Sequence, residues 1–101
     1  SHFSVNSQPN STFSRALYQC WSASAHFLSL NTNCDFRPGA QLDRTLGFIA
    51  TTSSTRRAPL YLMYRASDTD YLTVACSYER QAALGSGYVD VQTLGYASRI
   101  C

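Results

Sequence analysis

The chain has no lysine and only one glutamate. All eight of its cationic residues are Arg, and six acidic residues nearly offset them, leaving a formal charge of +2. A charge this balanced, in a chain only 14% charged, gives no electrostatic footprint for nucleic acid or an anionic membrane surface. Long apolar runs are also missing. None approaches the roughly 20 residues that a membrane-spanning helix needs, so no membrane span is expected. There are two histidines, His2 and His26, and no Cys-x-x-Cys pair, which leaves a zinc site short of ligands. No cofactor is implied. Asp68-Thr69-Asp70 has the start of a calcium loop, but no third and fourth carboxylates follow at loop spacing, and a hairpin turn accounts for it. A Gly-x-Ser-x-Gly elbow is absent too, since Gly85-Ser86-Gly87 lacks the spacing. No signal peptide is visible, and the start at Ser1 reads as a mature or trimmed chain.

What is present fits one small domain. The 101 residues are 45% hydrophobic and 13% aromatic, enough for one core and too few for two. Four cysteines in so short a chain read as two disulfides and an oxidising compartment, which places the protein outside the cell. Three pairings of Cys20, Cys34, Cys76 and Cys101 are open. Asn10-Ser11-Thr12 is an N-glycosylation sequon that fits a eukaryotic secretory route.

Residues 1–15, rich in Ser and Asn with isolated Phe, read as an irregular arm laid on the core. Beyond them the chain repeats itself. Leu17-Tyr18 matches Leu60-Tyr61, Trp21 matches Tyr64 and Ala23-Ser24 matches Ala66-Ser67, all at an offset of 43. Phe27-Leu28-Ser29-Leu30 then matches Tyr71-Leu72-Thr73-Val74, and Thr45-Leu46-Gly47-Phe48 matches Thr93-Leu94-Gly95-Tyr96. The units, 16–52 and 59–101, each begin with a period-two strand pattern: Leu17, Gln19 and Trp21 alternate with Tyr18 and Cys20. Residues 22–25 and 65–69 are small or polar and read as hairpin turns. The Gly of the third block permits a close backbone approach or a bulge. Residues 77–84, closed by Gly85, carry an N-cap residue and good helix formers, which predicts one or two helical turns. Residues 51–58 read as an exposed linker.

Units of about 40 residues cannot bury enough surface alone. The expected fold is therefore mainly β with one or two short helical turns, its two pseudo-symmetric units sharing one small sheet or barrel core stapled by disulfides. Cys101, just past the last strand, would close the circle onto Cys20 on the first. Cys34 and Cys76, each following the second strand of its unit, would then pair.

Pro59-Leu60-Tyr61-Leu62-Met63-Tyr64, Asp70-Tyr71-Leu72-Thr73, Glu79-Arg80, Gly87-Tyr88 and Gly95-Tyr96 together resemble a repeat of unknown function in secreted bacterial and fungal proteins, often appended to hydrolases of polymers. The first unit keeps Leu17-Tyr18, Trp21, His26-Phe27 and Gly47-Phe48 but lacks the acidic turn, and it carries Cys20 where that family has a large apolar residue. The resemblance spans residues 16–98 and implies an accessory binding module, with carbohydrate the leading ligand.

A sugar site needs an aromatic face beside groups that exchange hydrogen bonds with hydroxyls. Trp21, His26 and Asn31 or Asn33 form one such set, and Tyr64, Arg65, Asp68 and Asp70 a second. Paired weak sites give avidity on a polymer. The plainer alternative makes Trp21 and Tyr64 core residues at equivalent strand positions, with Asp68 and Asp70 shaping an Asx turn. Two other functions compete. A secreted effector or inhibitor would use exposed Tyr and Arg against a protein partner. A small secreted hydrolase or ribonuclease would need a general acid and base, for which only Glu79, His2 and His26 are at hand, with an Arg for the phosphate. Arg56-Arg57 reads as a solvated linker pair, with anion contact or processing as the alternatives.

Overall fold

A computed structural model describes residues 3–22, 26–36, 39–99 and 101. Six strands and one helix follow in order: β1 (Arg15–Trp21), β2 (His26–Ser29), β3 (Gln41–Ile49), β4 (Arg57–Arg65), β5 (Asp70–Ala75), α1 (Ser77–Gly85) and β6 (Val89–Ser98), with a 3-10 turn at Cys34–Phe36 after β2. The architecture is mainly β, as expected. The six strands make two antiparallel three-stranded sheets of identical order, β2-β1-β3 and β5-β4-β6, with the first strand of each unit at the centre. His2, and residues 23–25 of the expected first turn, lie outside the described residues.

The third strand begins earlier than the Gly block alone indicated and is irregular in the same way in both sheets. Leu17 faces Gly47 and Tyr18 faces Thr45, so Leu46 is an extra residue. Leu60 faces Gly95 and Tyr61 faces Thr93, so Leu94 is extra in the same place. Each Gly sits where a side chain has no room. A Cβ on Gly47 would lie 2.6 Å from the Asn6 carbonyl oxygen, and one on Gly95 would lie 2.7 Å from the Ala50 carbonyl oxygen, at φ near +155° in both (156° and 154°).

Those close approaches mark how the sheets are joined. Asn6 pairs with Phe48, Ala50 with Tyr96 and Ser98 with Ser4, each through two reciprocal backbone hydrogen bonds of 2.8–3.3 Å. The end of each short segment (4–6, 48–50, 96–98) thus meets the beginning of the next, and the three form a closed ring of pairings. The arm is laid on the core and also completes this ring. Ala58, expected in the exposed linker, is fully buried as part of β4.

One apolar cluster draws on both sheets: Leu17, Cys20, Phe27 and Ile49 from the first unit, Leu60, Leu62, Ala75 and Leu94 from the second. A smaller cluster of Met63, Val74, Ala83 and Tyr88 lies under α1. The helix starts with Cys76 as N-cap, in place of a Ser77 cap, and that residue makes no side-chain cap bond. Instead the Glu79 carboxylate reaches back to accept from the Ala75 N–H at 2.9 Å. At the far end Gly87, at φ +93°, reverses the chain, and the Tyr88 N–H donates to the Ala83 carbonyl at 3.1 Å.

The disulfides are Cys20–Cys34 and Cys76–Cys101, with Cα separations of 5.9 and 5.7 Å, which corrects the expected Cys20–Cys101 and Cys34–Cys76 pairs. The reason is the antiparallel pairing within each unit. β5 and β6 both run against β4, so both finish at its start, where Cys76 and Cys101 meet. Cys20 lies toward the other end of its own sheet, opposite Phe27 and Leu42, and the 3-10 turn folds Cys34 back onto it.

Candidate functional site

The turn end of the second sheet carries a polar cluster built on Arg65. β4 ends at Arg65, directly opposite Asp70 at the start of β5, and the turn between them closes through the Thr69 N–H on the Ala66 carbonyl. Arg65 donates to both carboxylate oxygens of Asp68, from Nε at 3.0 Å and a terminal nitrogen at 2.7 Å, and to the Ser86 carbonyl at 3.2 Å. Its guanidinium lies 4.5 Å from the centroid of the Tyr88 ring. The Tyr88 hydroxyl in turn donates to Asp70. The hydrogen bond from Arg65 holds the Asp68 carboxyl below its ordinary range, and the bond to Asp70 raises the Tyr88 phenol above its own. Asp68 is therefore an anion at neutral pH, and Tyr88 is a fixed neutral donor. Two carboxylates and a guanidinium are thus held around one aromatic ring at an exposed edge.

Of the set read from the second unit, Arg65, Asp68 and Asp70 come together. Tyr64 does not join them. Successive strand residues point to opposite faces, and Tyr64 packs on the other side of the sheet against Tyr71, its cross-strand partner, with ring centroids 4.7 Å apart. Tyr71 continues to Phe27 of the first unit at 5.0 Å. The aromatic that does face Arg65 and Asp70 is Tyr88, which sequence reasoning left out of the site. The available signal was Gly87, a helix-ending residue that turns the chain back toward the sheet.

In the first unit Trp21 and His26 are direct cross-strand partners, at the place Tyr64 and Tyr71 hold in the second. Trp21 is 40% exposed, which sets aside the core alternative for it, and His26 is exposed beside it. Asn31 is engaged elsewhere. Its side-chain amide donates to Asp35 at 2.6 Å and its N–H to Ser29 Oγ at 3.0 Å, while Ser29 Oγ also donates to Asp35 and Asn33 accepts from the Asp35 N–H. Asn31 and Asn33 thus brace the loop that carries Cys34.

Of the groups an enzyme would need, His2 lies outside the described residues, and His26 and Glu79 are on different elements. His26 is on β2, whereas Glu79 is on α1 with one oxygen on the Ala75 N–H and the other 2.7 Å from Arg99. Among the described residues no group of three or more His, Cys, Asp or Glu side chains is placed to hold a metal ion. Asn10 is exposed, its side-chain Oδ1 accepting from the Thr12 and Phe13 N–H groups at 2.9 and 2.7 Å in an Asx turn.

The chain matches no protein-family model, no curated protein and no solved structure.

Proposed function

We propose that the protein is a secreted, non-catalytic module that binds carbohydrate, either a cell-wall polysaccharide or another glycan. The observation that carries this reading is the Arg65, Asp68 and Asp70 cluster: charged planar groups held in place on an exposed edge by one another and by the largely buried Tyr88 beneath them. Such groups lose little side-chain freedom when a ligand arrives, and the carboxylates keep lone pairs free to accept from sugar hydroxyls. Exposed Trp21 beside His26 supplies an aromatic platform on the other sheet, so two weak sites act together on a polymer. The resemblance to secreted repeats appended to hydrolases points the same way. Two disulfides and an exposed sequon at Asn10 fit an extracellular protein, and Asn10 is the proposed glycan acceptor.

The test is retention of the oxidised protein on insoluble chitin, peptidoglycan, cellulose and β-glucan, beside Arg65→Ala and Trp21→Ala variants shown to be folded. Retention on at least one polymer, reduced several-fold in each variant, is expected. Absence of retention on all of them removes the glycan reading. A protein partner is the second reading, favoured by Val89 and Val91, which are exposed on β6, an outer strand of its sheet.

A further inference from the structure

Beside the polar cluster a crevice of about 350 Å3 opens between α1 and β5, lined by Leu72, Val74, Glu79, Ala82, Ala83, Ser86 and Tyr88. Its origin is in the helix sequence. The long side chains of α1 are committed elsewhere: Glu79 to the Ala75 N–H and Arg99, Arg80 to Asp90 and the face of Tyr61. At the level of Leu72 and Val74 the helix presents Ala82 and Ala83, too short to fill the space between helix and sheet.

Polar groups are few around this space, and most already hold a partner. Both Glu79 oxygens have one, the Tyr88 hydroxyl donates to Asp70, and the Ser86 carbonyl accepts from Arg65, while the Ser86 hydroxyl also lines the crevice. The wall therefore offers apolar contact and an aromatic ring, with little to recognise a charge. We propose that this crevice is a binding site for a small uncharged apolar molecule. The volume found here lies at the lower end of small-molecule sites, the scale of a one- or two-ring ligand. This goes beyond the glycan reading, because a mainly apolar wall offers a hydroxyl-rich sugar few hydrogen-bonding partners.

The experiment is a fluorescence titration of the oxidised full chain with N-phenyl-1-naphthylamine, an uncharged probe that brightens in apolar surroundings and has no sugar-like groups. Two variants accompany it. Ala82→Leu fills the crevice from an exposed helix position and is a good helix former there, and Ala82→Asp places a charge on the wall; circular dichroism confirms that each is folded. The expected result is saturable brightening at one site per chain, with affinity lowered at least ten-fold in both variants. Absence of saturable brightening, or equal affinity in the folded variants, overturns the proposal. Because the probe is not a sugar, either result leaves the polymer-retention test of the glycan reading unaffected.

Discussion

Thr69 is held at φ 50°, in the left-handed region, at the last position of the turn between β4 and β5. A β-branched side chain is poorly suited to that conformation, at a cost of about 1–2 kcal/mol. The residue stays because the turn must bring Asp70 opposite Arg65, and its hydroxyl offsets part of the cost by donating to the Asp68 carbonyl at 2.7 Å. Thr69→Gly is therefore expected to raise stability by about 0.5–1 kcal/mol, after allowance for the greater backbone entropy glycine loses on folding. A higher urea midpoint with unchanged slope is the confirming result, and a lower one means the hydroxyl outweighs the strain. Tyr64 and Arg65 show the residue-scale limit of reading from sequence. They are neighbours in the chain and fall on opposite faces, a separation that period-two alternation does contain once the strand is known to run unbroken to Arg65.

At the scale of elements, each third strand passes so close to a neighbouring segment that only Gly fits. Gly95→Ala would put a Cβ 2.7 Å from the Ala50 carbonyl oxygen, a backbone atom that moves only if the Ala50–Tyr96 pairing gives way. The expected cost is about 2 kcal/mol or more, with Gly47→Ala similar, and thermal unfolding measures it. The strand blocks, the bulge-forming Gly and α1 were legible in the sequence because local signals specify them: alternation, repeated Leu-Gly-aromatic blocks and a run of helix formers closed by Gly85. Disulfide pairing was not, because three connectivities satisfy the same spacing and only the directions of β5 and β6 along β4 bring Cys76 to Cys101. Tyr88 was hidden for a related reason: the helix and its Gly87 reversal bring it to Asp70 across 18 residues of chain. Peptide mapping under non-reducing conditions should recover Cys20 joined to Cys34 and Cys76 to Cys101. Removing the first bridge, which closes 14 residues, is expected to cost about 3 kcal/mol.

Beyond the apolar cluster that the two sheets share, polar groups tie the chain ends to the body. Arg99, just past β6, donates to the Tyr78 hydroxyl at 2.6 Å and to the Arg56 carbonyl through its backbone at 3.2 Å, and it pairs with Glu79 at 2.7 Å. This gathers the start of α1, the start of β4 and the end of β6 beside the Cys76–Cys101 bridge. Burial alone would raise the Glu79 pKa, but the Ala75 N–H and Arg99 outweigh it and hold the carboxyl below its ordinary 4.5. A carboxyl depressed in the folded state contributes stability that is fully present above its unfolded value and is lost as the pH falls through the folded one. The protein should thus lose stability on acidification below pH 4.5, with the exposed Asp68–Arg65 and Asp90–Arg80 pairs adding little. Glu79→Gln is expected to cost about 2 kcal/mol at pH 7, where the charged acceptor is lost, and progressively less as the pH falls through the depressed folded-state pKa and the wild-type carboxyl takes up its proton. Urea midpoints of both proteins measured at falling pH should converge. Parallel curves would mean that Glu79 acts through packing alone, and that the ends of this chain are held by the disulfide without it.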